Sequence, residues 1–151
     1  MLRKLKALRS MNAKLMAGYA EAFIHLGWAR LQLAITPFAK LAPMLGSGME
    51  ETAEEANPEH LAALVHVNNT IEAMSRHTPW ESKCFVQAIA GMNMLARRRI
   101  DCTLYLGTAR DERGKMIAHA WLRSGPYYVT GANGAEKFTV VGKFAKRVRT
   151  G

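Results

Sequence analysis

The stretch Trp80-Glu81-Ser82-Lys83-Cys84-Phe85-Val86-Gln87-Ala88-Ile89-Ala90-Gly91-Met92-Asn93-Met94-Leu95-Ala96-Arg97-Arg98-Arg99 decides how the rest of the chain is read. Thr78-Pro79 stands just before it, and a residue preceding proline is pushed out of the α region, so an earlier helix must stop near His77. Ser82 is expected to cap a new helix. Phe85, Ala88, Ile89, Met92, Leu95 and Ala96 recur at three- and four-residue steps, which draws one apolar stripe along it. Arg97, Arg98 and Arg99 fall on the last turn, where cations complement the helix dipole. Cys84 then lies in the first turn, among backbone N–H groups without intrahelical acceptors, where a thiolate is favoured. Lys83 adds a neighbouring cation. The competing reading is a small apolar filler, since free cysteine is among the most buried residue types.

Upstream, Asn57-Pro58-Glu59 reads as a helix start: a cap, a proline at the first helical position and an acid in the first turn. Leu61, Leu64, Val67, Ile71 and Met74 form the stripe that this helix buries. Residues 46–56 carry Glu50, Glu51, Glu54 and Glu55 without an apolar period, and are expected to be a mobile linker. Before them, Leu5 to Ile35 has helix-forming composition with a weak stripe through Leu15, Tyr19, Phe23, Leu26 and Ala29. Thr36-Pro37 predicts the cap and first residue of a short helix ending near Leu45-Gly46.

Downstream, the period changes from helix to strand. Thr103 to Gly107 is short and β-prone, and Asp111-Glu112-Arg113-Gly114-Lys115 predicts a hairpin turn. Met116, Ala118, Ala120 and Leu122 alternate with Ile117, His119, Trp121 and Arg123, which puts the two sets on opposite faces of a strand. Tyr127 to Thr130 and Phe138 to Val141 predict two further strands. Helices followed by an antiparallel sheet define an α+β fold. The division expected is a helical region with its acidic linker over 1–56 and a mixed core over 57–151.

Composition is compatible with this. The 151 residues are 49% hydrophobic and 22% charged, enough to bury a core. No charge-free run approaches the roughly 18 residues of a membrane span. Lys14 and Glu21 interrupt what would be the apolar segment of a secretion signal, so a cytoplasmic setting is expected. The net charge of +9 is uneven: residues 1–46 hold seven Lys/Arg and one Glu. Such a surplus favours acidic partners, and it makes the basic N-terminal helix a candidate for membrane-surface contact.

His119 is the second residue with chemical potential, flanked by Ala118 and Ala120, which are small enough to admit another element. A neutral imidazole can take a thiol proton and return it to a leaving amine. His25, His60, His66 and His77 read as structural, Cys102 as packing. The cysteines and histidines show no metal-ligand spacing, so neither a metal nor another cofactor is expected.

In their order, Trp80 to Ala88, Leu104-Tyr105-Leu106-Gly107 and Ala118-His119-Ala120-Trp121 resemble the leader peptidase of lasso peptide biosynthesis, the B-type maturation protein with a transglutaminase-like core. Phe38-Ala39-Lys40-Leu41-Ala42-Pro43 is similar to its helical N-terminal region. The resemblance implies a papain-type cysteine protease, bacterial and cytoplasmic, with Cys84 as nucleophile and His119 as base. It also implies as partners a precursor peptide, a separate leader-recognition protein and an ATP-dependent lasso cyclase, and no nucleic acid. The family usually has an Asp after the histidine, which this chain lacks. A three-residue turn at Ser124-Gly125-Pro126 would put His119 opposite Gly131 with Asn133 diagonal to it, making Asn133 the third catalytic member; a two-residue turn would put Thr130 on that face instead. Gln87, one helical turn beyond Cys84, is a candidate oxyanion donor beside the Cys84 N–H, and Trp80 and Trp121 are candidates to line the cleft. The rival readings are a basic binding module and a transglutaminase-like acyltransferase.

Overall fold

The computed structural model describes residues 2–148. In chain order it holds α1 (Leu2–Ile35), α2 (Phe38–Leu41), β1 (Ser47–Gly48), α3 (Leu61–Ser75), α4 (Cys84–Arg97), β2 (Cys102–Arg110), β3 (Met116–Ser124), β4 (Tyr127–Thr130) and β5 (Thr139–Lys146), with short 3-10 turns at 42–45, 58–60 and 135–137. The strands form one antiparallel sheet in the order β1-β5-β2-β3-β4. This is the α+β arrangement that the change of period predicts.

The central helix is α4. Val86, Ala88, Ile89, Ala90, Met92, Met94 and Leu95 are all buried, so it is enclosed on more than one side. It packs on the sheet with one flank and on α1 and α3 with others. Gly91 marks the closest approach: a Cβ there would stand 2.9 Å from Leu122 Cδ2 and 3.4 Å from Thr130 Cγ2. Each large apolar side chain in this layer contributes about 1.5–3 kcal/mol by leaving water.

α1 meets this layer through small residues. Ala22, Leu26 and Ala29 are wholly buried, whereas Leu15 and Phe23 of the expected stripe remain 39% and 37% exposed. The buried side is set by Gly18 and Ala22, which let α3 come close; a Cβ at Gly18 would sit 2.4 Å from the His66 ring. Glu21 then pins α1 to the end of α4, receiving Arg97 Nη1 at 2.8 Å and Arg98 Nη2 at 2.7 Å. Burial alone would raise the Glu21 pKa, but the Arg98 hydrogen bond and the two guanidinium charges outweigh it and hold the carboxyl below its ordinary value.

Two local expectations need correcting. Thr36 does not cap the short helix; Pro37 takes the cap position in extended conformation, with no side-chain hydrogen bond. The acidic stretch 46–56 is a strap rather than a mobile linker. It begins as β1 on the edge of β5, and Met49 N–H donates to Lys143 O at 2.7 Å. Thr52 bonds Thr103 Oγ1 through its N–H and its hydroxyl, at 2.9 and 2.7 Å. Arg123, only 7% exposed, reaches Thr52 O at 3.0 Å, Ala53 O at 3.3 Å and Gly125 O at 2.7 Å. A buried guanidinium offers five donors that need acceptors, and two strap carbonyls share them with Gly125 O, Tyr105 Oη and Thr103 Oγ1. The alternation in β3 explains the geometry: Arg123 and Trp121 face the strap's side of the sheet, Leu122 and Ala120 face α4.

Candidate active site

Cys84 is the first residue of α4. The cap position belongs to Lys83, in extended conformation and without a side-chain cap, and not to Ser82. Ser82 Oγ instead pairs with Thr78 Oγ1 at 2.7 Å, and Ser82 O accepts the Gln87 side-chain amide at 2.8 Å. The first intrahelical bond runs from Gln87 N–H to Lys83 O at 2.9 Å. The amides of Cys84, Phe85 and Val86 are therefore the free donors of the helix start, next to the half-buried Cys84 thiol. Lys83 points outward and pairs with Glu81 at 3.4 Å. Cys102 is the opposite case: burial first, and then the neighbouring Asp101 charge, push its thiol up to about 12.

His119 lies on β3 opposite Gly107 of β2. Its Nε2 stands 2.8 Å from the carbonyl oxygen of Gly131. A carbonyl can only accept, so Nε2 carries the hydrogen and the neutral ring keeps its lone pair on Nδ1. The ring is also clamped by aromatics, with Phe138 at 5.1 Å and Trp121 at 5.7 Å between centroids. Trp121 stacks in turn on Tyr105 at 5.4 Å, and the Arg123 guanidinium covers Tyr105 at 5.8 Å. Gly107 makes room for this row, since a Cβ there would stand 2.9 Å from the Trp121 ring and 2.8 Å from Phe138 Cβ.

The third position follows neither register drawn from the sequence. The β3–β4 turn has two residues, with Ser124 opposite Tyr127, but the pairing then shifts between Leu122 and Arg123, so that Leu122 faces Thr130. This bulge turns Thr130 toward α4, where its Oγ1 is buried without a partner. The chain leaves the sheet at Gly131, whose φ of +71° only glycine adopts without cost. Asn133 makes no hydrogen bond to His119; the backbone carbonyl of Gly131 takes that place. The sequence signal for it was the glycine in Thr130-Gly131-Ala132-Asn133, which marks a sharp departure from a strand.

Residues 131–133 form the link between the two halves of the site. One side holds His119; the other closes a cavity of about 580 Å³ whose lining includes Ser82, Lys83, Gln87 and Asn133. Cys84 lies seven residues before Gly91 in α4, and His119 lies three residues before Leu122, the β3 residue that packs against Gly91. Cys84 and His119 are not hydrogen-bonded to each other. Cys84 packs against the core on the α4 side, and the His119 ring stands on the Trp121 side. β4 pairs with β3 only over Leu122 to Ser124, so the edge of β3 beside His119 has no strand covering it.

The remaining candidates separate clearly. Gln87 is at the cavity but already donates to Ser82 O. Trp121 backs the imidazole and is buried rather than lining an open cleft. Trp80 packs against α1, 5.0 Å from the Phe23 ring and beside Gly27, with its Nε1 buried and unpartnered. Among the described residues, no three of His, Cys, Asp and Glu gather where a metal ion could bind.

A cysteine opening a buried central helix, laid on an antiparallel sheet that carries a tethered histidine, is the arrangement of the papain-like class of α+β folds. The chain belongs to the transglutaminase-like superfamily, whose pattern matches residues 29–143. Members of that superfamily are usually catalytic, as cysteine proteases or acyl transferases. No curated protein and no solved structure matches the chain.

Proposed function

We propose that this chain is a cysteine endopeptidase that removes the leader segment from a ribosomally made lasso peptide precursor, before a separate ATP-dependent cyclase closes the ring. The observation that supports the chemistry is the ring tether: His119 Nε2 stands 2.8 Å from Gly131 O, which can only accept, and a neutral ring so held has its lone pair on Nδ1. The resemblance of residues 80–88, 104–107 and 118–121 to lasso leader peptidases supports the substrate class.

In this reading, the substrate enters the cavity beside Lys83 and Gln87. His119 Nδ1 takes the Cys84 proton as Sγ attacks the carbonyl carbon of the last leader residue. The carbonyl electrons move onto oxygen, which the free N–H groups at the start of α4 receive. Collapse breaks the C–N bond, and the imidazolium protonates the departing amine of the core peptide. Water then attacks the thioester, giving its proton to His119; the leader carboxylate leaves and Cys84 regains its hydrogen. Leader capture is the task of a separate recognition protein, which raises the local concentration of the scissile bond.

The test is mass spectrometry of precursor incubated with the chain, with and without that protein. Cleavage at a single leader–core junction that is lost in Cys84→Ala is expected. Processing by Cys84→Ala at the wild-type rate would end the peptidase reading, and transfer of the leader acyl group to an added amine in place of water would assign acyl transfer.

A further inference from the structure

The outward side of α1 is unlike any other surface of the fold. Ile24, Trp28, Leu31 and Ile35 follow one another at steps of four, three and four residues and are 67%, 53%, 47% and 68% exposed. They form one row on the helix, directly opposite the buried Ala22, Leu26 and Ala29. A single exposed leucine means little, but four large side chains in line, one of them tryptophan, form a patch of the kind that marks a contact surface.

Charge decides what covers it. Arg3, Lys4, Lys6, Arg9 and Lys14 occupy the first half of the same helix. The only acid among residues 1–46 is Glu21, and its carboxylate is already taken by Arg97 and Arg98. We propose that this face docks on an anionic phospholipid surface, with the apolar row lying in the acyl boundary and the cationic half on the phosphates. No helix is long and apolar enough to cross a membrane, so the contact is a helix lying in the interface plane. A second copy of the chain fits less well. Parallel pairing would set one cationic half against another, and antiparallel pairing would bury each cationic half under the other's apolar row. The proposal is independent of the peptidase reading, since none of these side chains lines the cavity beside Lys83 and Gln87.

The experiment is co-sedimentation of the full chain with vesicles of phosphatidylcholine alone and of phosphatidylcholine with phosphatidylglycerol, at low and high salt. Binding to the phosphatidylglycerol vesicles at least about tenfold stronger than to the neutral ones is expected, because each basic residue near the surface adds to the attraction. The W28S/L31S double variant changes side chains that are about half exposed, and should lose binding while keeping the wild-type circular dichroism. The K6S/R9S variant should lose the preference for anionic lipid. The proposal is overturned if the wild type sediments equally with both vesicle types, or if W28S/L31S binds as the wild type does. It is also overturned if light scattering shows a wild-type dimer that W28S/L31S dissolves while vesicle binding is unchanged, which would make the face an interface between copies.

Discussion

Two glycines three residues apart allow the His119 tether to be weighed directly. Gly131 and Gly134 have nearly the same backbone conformation, with φ of +71° and +80°. An alanine at either pays the left-handed penalty of about 1–2 kcal/mol, partly offset by about 0.4–1 kcal/mol from the stiffer unfolded chain. Gly134 stops there, because a Cβ would meet nothing within 4 Å. At Gly131 a Cβ would sit 2.5 Å from Ala120 O and 2.9 Å from Trp121 Cβ, atoms with no freedom to retreat. The loop must shift, at a further cost of about 1–3 kcal/mol, and the shift carries Gly131 O away from Nε2. Gly131→Ala should therefore lower stability by about 2 kcal/mol more than Gly134→Ala, or roughly 4–8 °C more in Tm for a chain of this size. A displacement of about 1 Å at a catalytic group costs on the order of a hundredfold in rate, so Gly131→Ala should lose kcat with little change in KM, while Gly134→Ala keeps both. Thermal melts and leader-cleavage kinetics of the two variants measure this. Equal losses of Tm, with kcat intact in both, would show that the Gly131 carbonyl does not position the imidazole.

The other expectations are simpler. Iodoacetamide should label one thiol per native chain, Cys84, and a second only after unfolding, because Cys102 is buried and its thiol is pushed up to about 12. Asn133→Ala should cleave at close to the wild-type rate, and Asn133→Asp should bring no gain, since His119 already has its acceptor; a loss comparable to His119→Ala would restore Asn133 to the third position. Glu21→Gln should destabilise the fold by about 2 kcal/mol at neutral pH, the worth of a charge-assisted hydrogen bond to a poorly exposed group. Its folded pKa is lowered, so the wild-type advantage is complete above the ordinary value of 4.5 and declines as pH falls from there through the lowered folded value; urea midpoints of both proteins from pH 7 to 3 follow it, and a gap that does not narrow over that range would remove the charge from the explanation. Arg123→Met should cost about 3–5 kcal/mol in urea unfolding by stranding the strap's carbonyls, and a loss below about 1 kcal/mol would mean that the strap holds without it.

What the sequence reveals about this protein divides by the range of the interactions involved. The start of α4, the stop at Thr78-Pro79, the Asp111–Lys115 turn and the two faces of β3 depend on neighbours a few residues away, and all can be read from residue type and period. Cys84 and His119 were singled out in this way, and the structure puts the one at the head of α4 and the other within β3. The strap was not, because its acids and hydroxyls look solvent-bound until Arg123 and Tyr105, more than fifty residues later, face them from the sheet; Tyr105 O–H donates to Glu51 at 2.5 Å, and nothing local to either residue announces it. The third position failed for a different reason. Whether a two-residue turn leads Thr130 to the His119 face depends on the ladder staying in step, and one extra residue at the bulge near Val129 reverses every side chain that follows. A side-chain acceptor was sought because strands are read as alternating side chains. The acceptor that the fold supplies is a backbone carbonyl, which every residue carries and no composition can flag. Only the glycine that lets the chain turn there is visible in the sequence, so at this site the informative residue is the one without a side chain.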